Sequence, residues 1–161
     1  MRAYRSVGFL LIGALTVAVI AELRVQAAQT RADDERQIRL LPASHAAASQ
    51  HGDLQGLVSV YHSDADVRYS DGTVLQGRAA LEKRYRQVLS SDPHAVSHSH
   101  PSGTIHVRFL RPDVAFVDVE SVSGDDTGQG EAATRTPLFA IFTKEAGHWG
   151  VAVQRSGIPL K

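Results

Sequence analysis

The second half of this chain alternates. Thr104–Leu110, Val114–Val122, Arg135–Thr143 and His148–Arg155 are its candidate strands, read on the sheet's period of two, as Ile105, Val107 and Phe109 alternate with Thr104, His106 and Arg108. Arg111-Pro112-Asp113 and Lys144–Gly147 punctuate the runs as tight turns. That period marks strands with one buried face, and connections this short join antiparallel neighbours. A further extended run covers Ala95–His100, and Pro101-Ser102-Gly103 after it is either a turn or a bulge in one bent strand. Ser123–Ala133 is a polar, glycine-rich loop.

Ahead of the strands the period becomes helical. Asp33, Asp34 and Glu35 suit a helix N-terminus, and Ile38, Leu41, His45 and Ala48 follow at helical spacing, with Pro42 expected to kink or break the helix. Gly52 is a helix stop and Asp53 a cap for a second helix striped by Leu54, Leu57, Val58 and Tyr61. Ala65–Tyr69 and Thr73–Leu75 flank the turn signal Asp71-Gly72, and Arg78–Leu89 is a third helix ended by Asp92-Pro93. Helices first and a meander of long strands afterwards predict an α+β fold, with the helices packed on one face of a curved antiparallel sheet.

The first 27 residues read as a secretory signal peptide. Arg2 and Arg5 precede the uncharged, mostly apolar run Ser6–Ala21, too short to span a bilayer, and Val25-Gln26-Ala27 supplies a cleavage signal. The expected organisation is a leader at 1–27, a loose lead-in at 28–32 and one domain at 33–161, exported to a periplasmic or extracellular space. An uncleaved leader would tether the same domain to the membrane. Otherwise no membrane contact is expected. The chain has no cysteine, which excludes disulfides, thiolate metal sites and thiol nucleophiles. Its formal net charge of zero argues against nucleic acid as a partner.

Several local strings, in this order and spacing, resemble the SnoaL-like and ketosteroid-isomerase-like proteins of the nuclear-transport-factor-two-like superfamily. They are Gly52-Asp53-Leu54, Val60 through Val67, Asp71-Gly72-Thr73, Gly77 through Leu81, Val107 through Leu110, Pro112 through Ala115, and Gly147-His148-Trp149. The last three are also similar to the SgcJ/EcaC branch. The resemblance implies a cone: a strongly curved sheet with three helices on its concave face, a pocket at the open end, and a homodimer formed through the outer sheet face. It also argues against ketosteroid isomerase chemistry. His45, Tyr69 and Phe139 stand where those enzymes carry their helix-one Tyr, general-base Asp and Asp donor.

The resemblance turns Phe116, Asp118, Glu120 and Val122 toward the pocket, along with Pro137, Phe139 and Ile141 and with Gly150, Ala152 and Gln154. Asp118 and Glu120 stand about 7 Å apart along their strand. If both are buried, at least one pKa rises, so that one donates a proton and the other accepts it, while His45 or Tyr69 polarises an oxygen. The expected catalytic set is Asp118, Glu120, His45 and Tyr69. Phe116, Val122, Phe139, Ile141, Gln154 and Tyr61 are the expected ligand-binding set, and the ligand is a small, mostly apolar organic molecule. The competing reading makes the carboxylate face a solvent or dimer surface and the domain a non-catalytic binding module. Tyr61, Tyr85 and Trp149 lean toward packing. His94, His98 and His100 share one side of an extended run, yet a zinc site needs three or four converging ligands, and no metal is expected. No dinucleotide or flavin motif is present, and no cofactor is expected.

Overall fold

The computed structural model describes residues 5–91, 99–123 and 134–157, with side chains at 22, 24, 26–91, 104–120 and 136–157. The chain divides into two units, Met1–Glu35 and Arg36–Lys161. Helix α1, Arg5–Gln50, supplies the described part of the first unit and continues into the second. It passes through residues 28–32, where the sequence suggests a loose lead-in, and through Pro42, where it suggests a break. A proline removes one backbone donor, and a helix tolerates that when packing holds both flanking turns. Here Ile38 and Ala48, on either side of Pro42, are both buried. Among the described residues no helix is long and apolar enough to cross a membrane.

Gly52, at φ 62°, ends α1 in the left-handed conformation that favours glycine. Asp53 caps helix α2 (Leu54–Ser59) by accepting a 3.0 Å hydrogen bond from the Gly56 N–H. The helix stops before Tyr61, which instead opens strand β1 (Tyr61–Arg68). Asp71-Gly72 turns the chain into β2 (Val74–Gln76), and the Thr73 N–H bonds the Asp71 carboxylate at 2.8 Å. Helix α3 (Arg78–Ser91) is fastened to β1 at its start, where the Gly77 N–H donates to the Ala65 carbonyl at 2.7 Å and the Arg78 guanidinium to the Tyr61 carbonyl at 2.9 Å. Strands β3 (Ser99–Arg111), β4 (Val114–Ser123), β5 (Thr134–Glu145) and β6 (His148–Ser156) form the meander. Residues 99–111 are one strand with a register shift between Ser102 and His106, the bulged alternative of the two that the sequence allows.

One curved, open six-stranded sheet results, in the order β2-β1-β6-β5-β4-β3. It is mixed: β1 runs parallel to β6, and the other neighbours are antiparallel. Val67, Ala115, Val117, Ala140, Phe142 and Val151 cover its inner face and pack with Ile38, Leu57, Leu81 and Tyr85 from the helices. Full burial of a side chain such as Leu57 or Leu81 contributes about 1.5–3 kcal/mol, so the helices are held chiefly by their inward stripes.

The inner face is not the one the resemblance implies. On β4 the buried side chains are Ala115, Val117 and Val119, at 0 %, 1 % and 5 % exposure. Phe116, Asp118 and Glu120 alternate with them and lie on the outer face. Cross-strand pairs share a face, and the pairs Val117–Ala140 and Val119–Leu138 turn β5 the same way. Phe139 and Ile141 therefore also face outward, and Phe139 is 39 % exposed.

Candidate functional site: an apolar cup crossed by hydrogen-bonded phenols

A cavity of about 370 Å³ opens between the inner sheet face and the helices. Val60, Val117, Val119, Leu138, Ala140, Phe142 and Val151 form its apolar wall from the sheet side, and Leu41, Pro42 and Val88 close it from α1 and α3. Its size and apolar wall are those of a small-molecule site.

Four polar side chains form a continuous chain in this cup. His45 Nε2 lies 3.1 Å from the Tyr85 hydroxyl, which lies 3.4 Å from the Tyr61 hydroxyl, and Tyr61 donates to Gln154 Oε1 at 3.0 Å. Each element contributes for a local reason. Tyr85 follows Leu81 by one helical turn on the buried stripe of α3. Tyr61 is on the face of β1 that pairs with Val151. Gln154 is reached through an irregularity in β6: Val151 pairs with Phe142 and Val153 with Ile141, leaving Ala152 extra. That added residue shifts the alternation, so Val151 and Gln154 both face the cup although they are three positions apart. Gly150 lies against His62 instead, where an added Cβ would meet the ring at 2.9 Å.

Tyr69 also lines the cup, but its hydroxyl is buried and has no hydrogen-bond partner among the described residues. Burial, and then the Tyr85 hydroxyl, raise its pKa far above that of an ordinary phenol. Burial likewise raises Tyr61 and Tyr85. Burial lowers His45 from 6.5 to about 4. The imidazole and all three phenols are therefore neutral at pH 7.

Of the residues expected from sequence, His45, Tyr61, Tyr69 and Gln154 meet in the cup. Asp118, Glu120, Phe116, Phe139 and Ile141 do not. The placement of Asp118 and Glu120 in the pocket is corrected, and the acid/base roles built on it fall with it. Phe116 stacks on Phe139 at 6.2 Å on the outer face, and the Arg108 guanidinium lies 5.8 Å over the Phe116 ring. The Val122 side chain lies outside the described ones, as do the side chain of His100 and residues His94 and His98 entirely. Among the described residues no group of three or more His, Asp or Glu is placed to hold a metal ion. Tyr85, read from sequence as packing, is the central link of the polar chain. Its signal was the buried stripe of α3 with a hydroxyl at its end, since a buried tyrosine normally finds a partner for that group.

A curved sheet cupped around helices, with its cavity at the inner face, places the molecule among cone-shaped α+β domains of the nuclear-transport-factor-two-like type. Residues 30–155 match the SnoaL-like domain family, and the chain belongs to that family. Among solved structures it is similar to a domain of unknown function with a cystatin-like fold from Nostoc punctiforme (22 % identity, TM-score 0.67, covering 80 % of this chain and 79 % of that one). It is also similar to a proposed scytalone dehydratase from Novosphingobium aromaticivorans (16 %, 0.61, 80 % and 86 %) and to an NTF2-like protein from Pseudomonas putida (14 %, 0.66, 81 % and 89 %). At these identities the likeness is one of fold. No curated protein matches the chain.

Proposed function

We propose that this domain is a receptor for a small, mostly apolar organic molecule, held in the cup with its uncharged body against the valine-rich wall. The observation that carries this reading is the lining: an apolar surface crossed by one chain of neutral hydrogen-bonding groups, with no carboxylate among the described residues that form it. The Tyr69 hydroxyl, without a hydrogen-bond partner among the described residues, fits the same role. A buried polar group without a partner is costly, and a ligand acceptor would satisfy this one once the ring tilts into the cup.

Binding is favoured over proton-transfer catalysis on energetic grounds. Efficient general acids and bases have pKa values near the working pH. Here the imidazole sits near 4 and the phenols far on the other side of neutrality. The non-catalytic reading of the fold is thus the better supported. The N. aromaticivorans neighbour is the observation on the side of an enzyme, and it speaks for shared architecture alone.

The test is calorimetric titration with 1-octanol, a neutral amphiphile that fits the cavity. Saturable binding is expected, and it should be lost in Val119→Phe, which fills the cup from its wall. Binding unchanged in that variant, or absent altogether, overturns the proposal. Two further readings belong to it. The exposed Phe139 and Leu110 (39 % and 49 %) support a homodimer through the outer sheet face. The basic start followed by an apolar run supports export with removal of residues 1–27.

A further inference from the structure

The cup is lined by a single formal charge among its described residues, and that charge is positive. Arg84 and Tyr85 are consecutive on α3, so their side chains leave the helix about 100° apart. Tyr85 goes inward and is buried, whereas Arg84 stays exposed yet still lines the cavity, which places it at the mouth. Ser70, Thr136 and Ser156 also line the cavity, none of them buried, so its wetter surroundings are polar, while deeper in the cup the polar groups are uncharged and hydrogen-bonded to one another along the His45–Tyr85–Tyr61–Gln154 chain.

Two other cations on α3, Arg78 and Arg86, are engaged, and Lys83 is exposed and does not line the cavity. Arg86 pairs with Glu82 at 2.5 Å, and Arg78 donates to the Tyr61 carbonyl. Arg84 makes no hydrogen bond or ion pair with any described residue. An acid that feels its charge is Asp71, whose carboxyl is held below the usual range first by the Thr73 N–H and only secondarily by Arg84. Asp71 is thus committed to its own turn. The charge of Arg84 also reaches the Tyr69 hydroxyl just inside the mouth.

We infer that the ligand is an amphipathic carboxylic acid, bound with its apolar body in the cup and its carboxylate at the mouth against Arg84. This rests on the receptor reading above and adds the sign and position of the ligand's charge. A guanidinium offers a planar fork of donors that matches a carboxylate. The neutral polar chain deeper in the cup gives a charge no counterion there, so an anionic head is favoured only at the rim.

Titrations of the full domain with octanoate, 1-octanol and octylammonium, which share one tail, test it. Wild type should bind octanoate more tightly than octylammonium. Arg84→Gln should weaken octanoate about fivefold more than it weakens octanol, the scale of one solvent-exposed charge contact. Arg84→Glu should reverse the order of octanoate and octylammonium, and raised salt should narrow the wild-type preference. Octanol binding with no preference between the two ions, or a preference untouched by both Arg84 variants, overturns this inference and leaves the receptor reading standing. Failure of all three probes to bind defeats the receptor reading and the inference together.

Discussion

Two tyrosines in one cup should respond to the same substitution with opposite signs. The Tyr85 hydroxyl joins His45 at 3.1 Å to Tyr61 at 3.4 Å. In Tyr85→Phe the imidazole nitrogen loses that partner inside a low-dielectric pocket, while Tyr61 keeps its bond to Gln154. Leaving a buried polar group unsatisfied costs about 1–3 kcal/mol. The Tyr69 hydroxyl, in contrast, already has no partner among the described residues. Tyr69→Phe removes a polar atom that folding strips of water without return, so the ligand-free domain should gain about 1 kcal/mol, at the low end of the same penalty. For a domain of this size 1 kcal/mol corresponds to roughly 3–5 °C in Tm. Urea denaturation of both variants without ligand is the assay, with midpoints compared at constant slope. Destabilisation by Tyr69→Phe comparable to that by Tyr85→Phe would show that the Tyr69 hydroxyl is bonded, and would refute the reasoning.

His45 should make stability depend on pH. Its folded pKa of about 4 lies below its ordinary 6.5, so the unfolded chain binds the extra proton. The stabilisation is complete above pH 6.5 and is lost as pH falls from there toward 4, at most roughly 3 kcal/mol; chemical denaturation across that range should show the slope, and His45→Gln should flatten it. Gly150→Ala should cost about 1–3 kcal/mol by urea denaturation, because the new methyl meets the His62 ring at 2.9 Å; an unchanged midpoint would mean that the ring swings away freely. Phe139→Glu should convert a dimer to a monomer in light scattering while octanol binding persists, and a wild-type monomer would sink the dimer reading. N-terminal sequencing of protein recovered from the exported fraction should begin near Ala28, whereas Met1 retained on membranes would contradict cleavage.

The succession of elements was legible because each is written locally: helical spacing around Ile38 and Leu81, a stop at Gly52, a cap at Asp53, and period-two runs between short turns. What alternation leaves undetermined is which of two faces points in. On β4 the answer was available, since Ala115, Val117 and Val119 are uniformly apolar and Asp118 and Glu120 are not. A one-sided antiparallel sheet turns the uniform face to its core. The resemblance to enzymes that carry pocket carboxylates pointed the other way, and the burial of the three small residues corrects it. On β5 polarity decides nothing, because Leu138, Ala140 and Phe142 compete with Phe139 and Ile141. Register against β4 settles that strand, and register is a property of two strands together. Gln154 was expected in the pocket and is there, but it arrives through the extra residue in β6 and not by simple alternation. Tyr61 was misplaced on a helix, yet it reaches the cup from the start of β1. Arg84 carried no distinguishing sign in a helix rich in exposed basic residues, and only the cavity singles it out.

The central claim is that the ligand-binding surface is the Val117–Val119 face of the sheet and not the Asp118–Glu120 face. Amide and methyl chemical-shift mapping during titration with 1-octanol tests it directly. Saturable shifts should concentrate at Val117, Val119, Leu138, Ala140 and Tyr85, with Phe116, Asp118, Glu120 and Ile141 moving little. Shifts centred on the second group, with the first unmoved, would contradict the account.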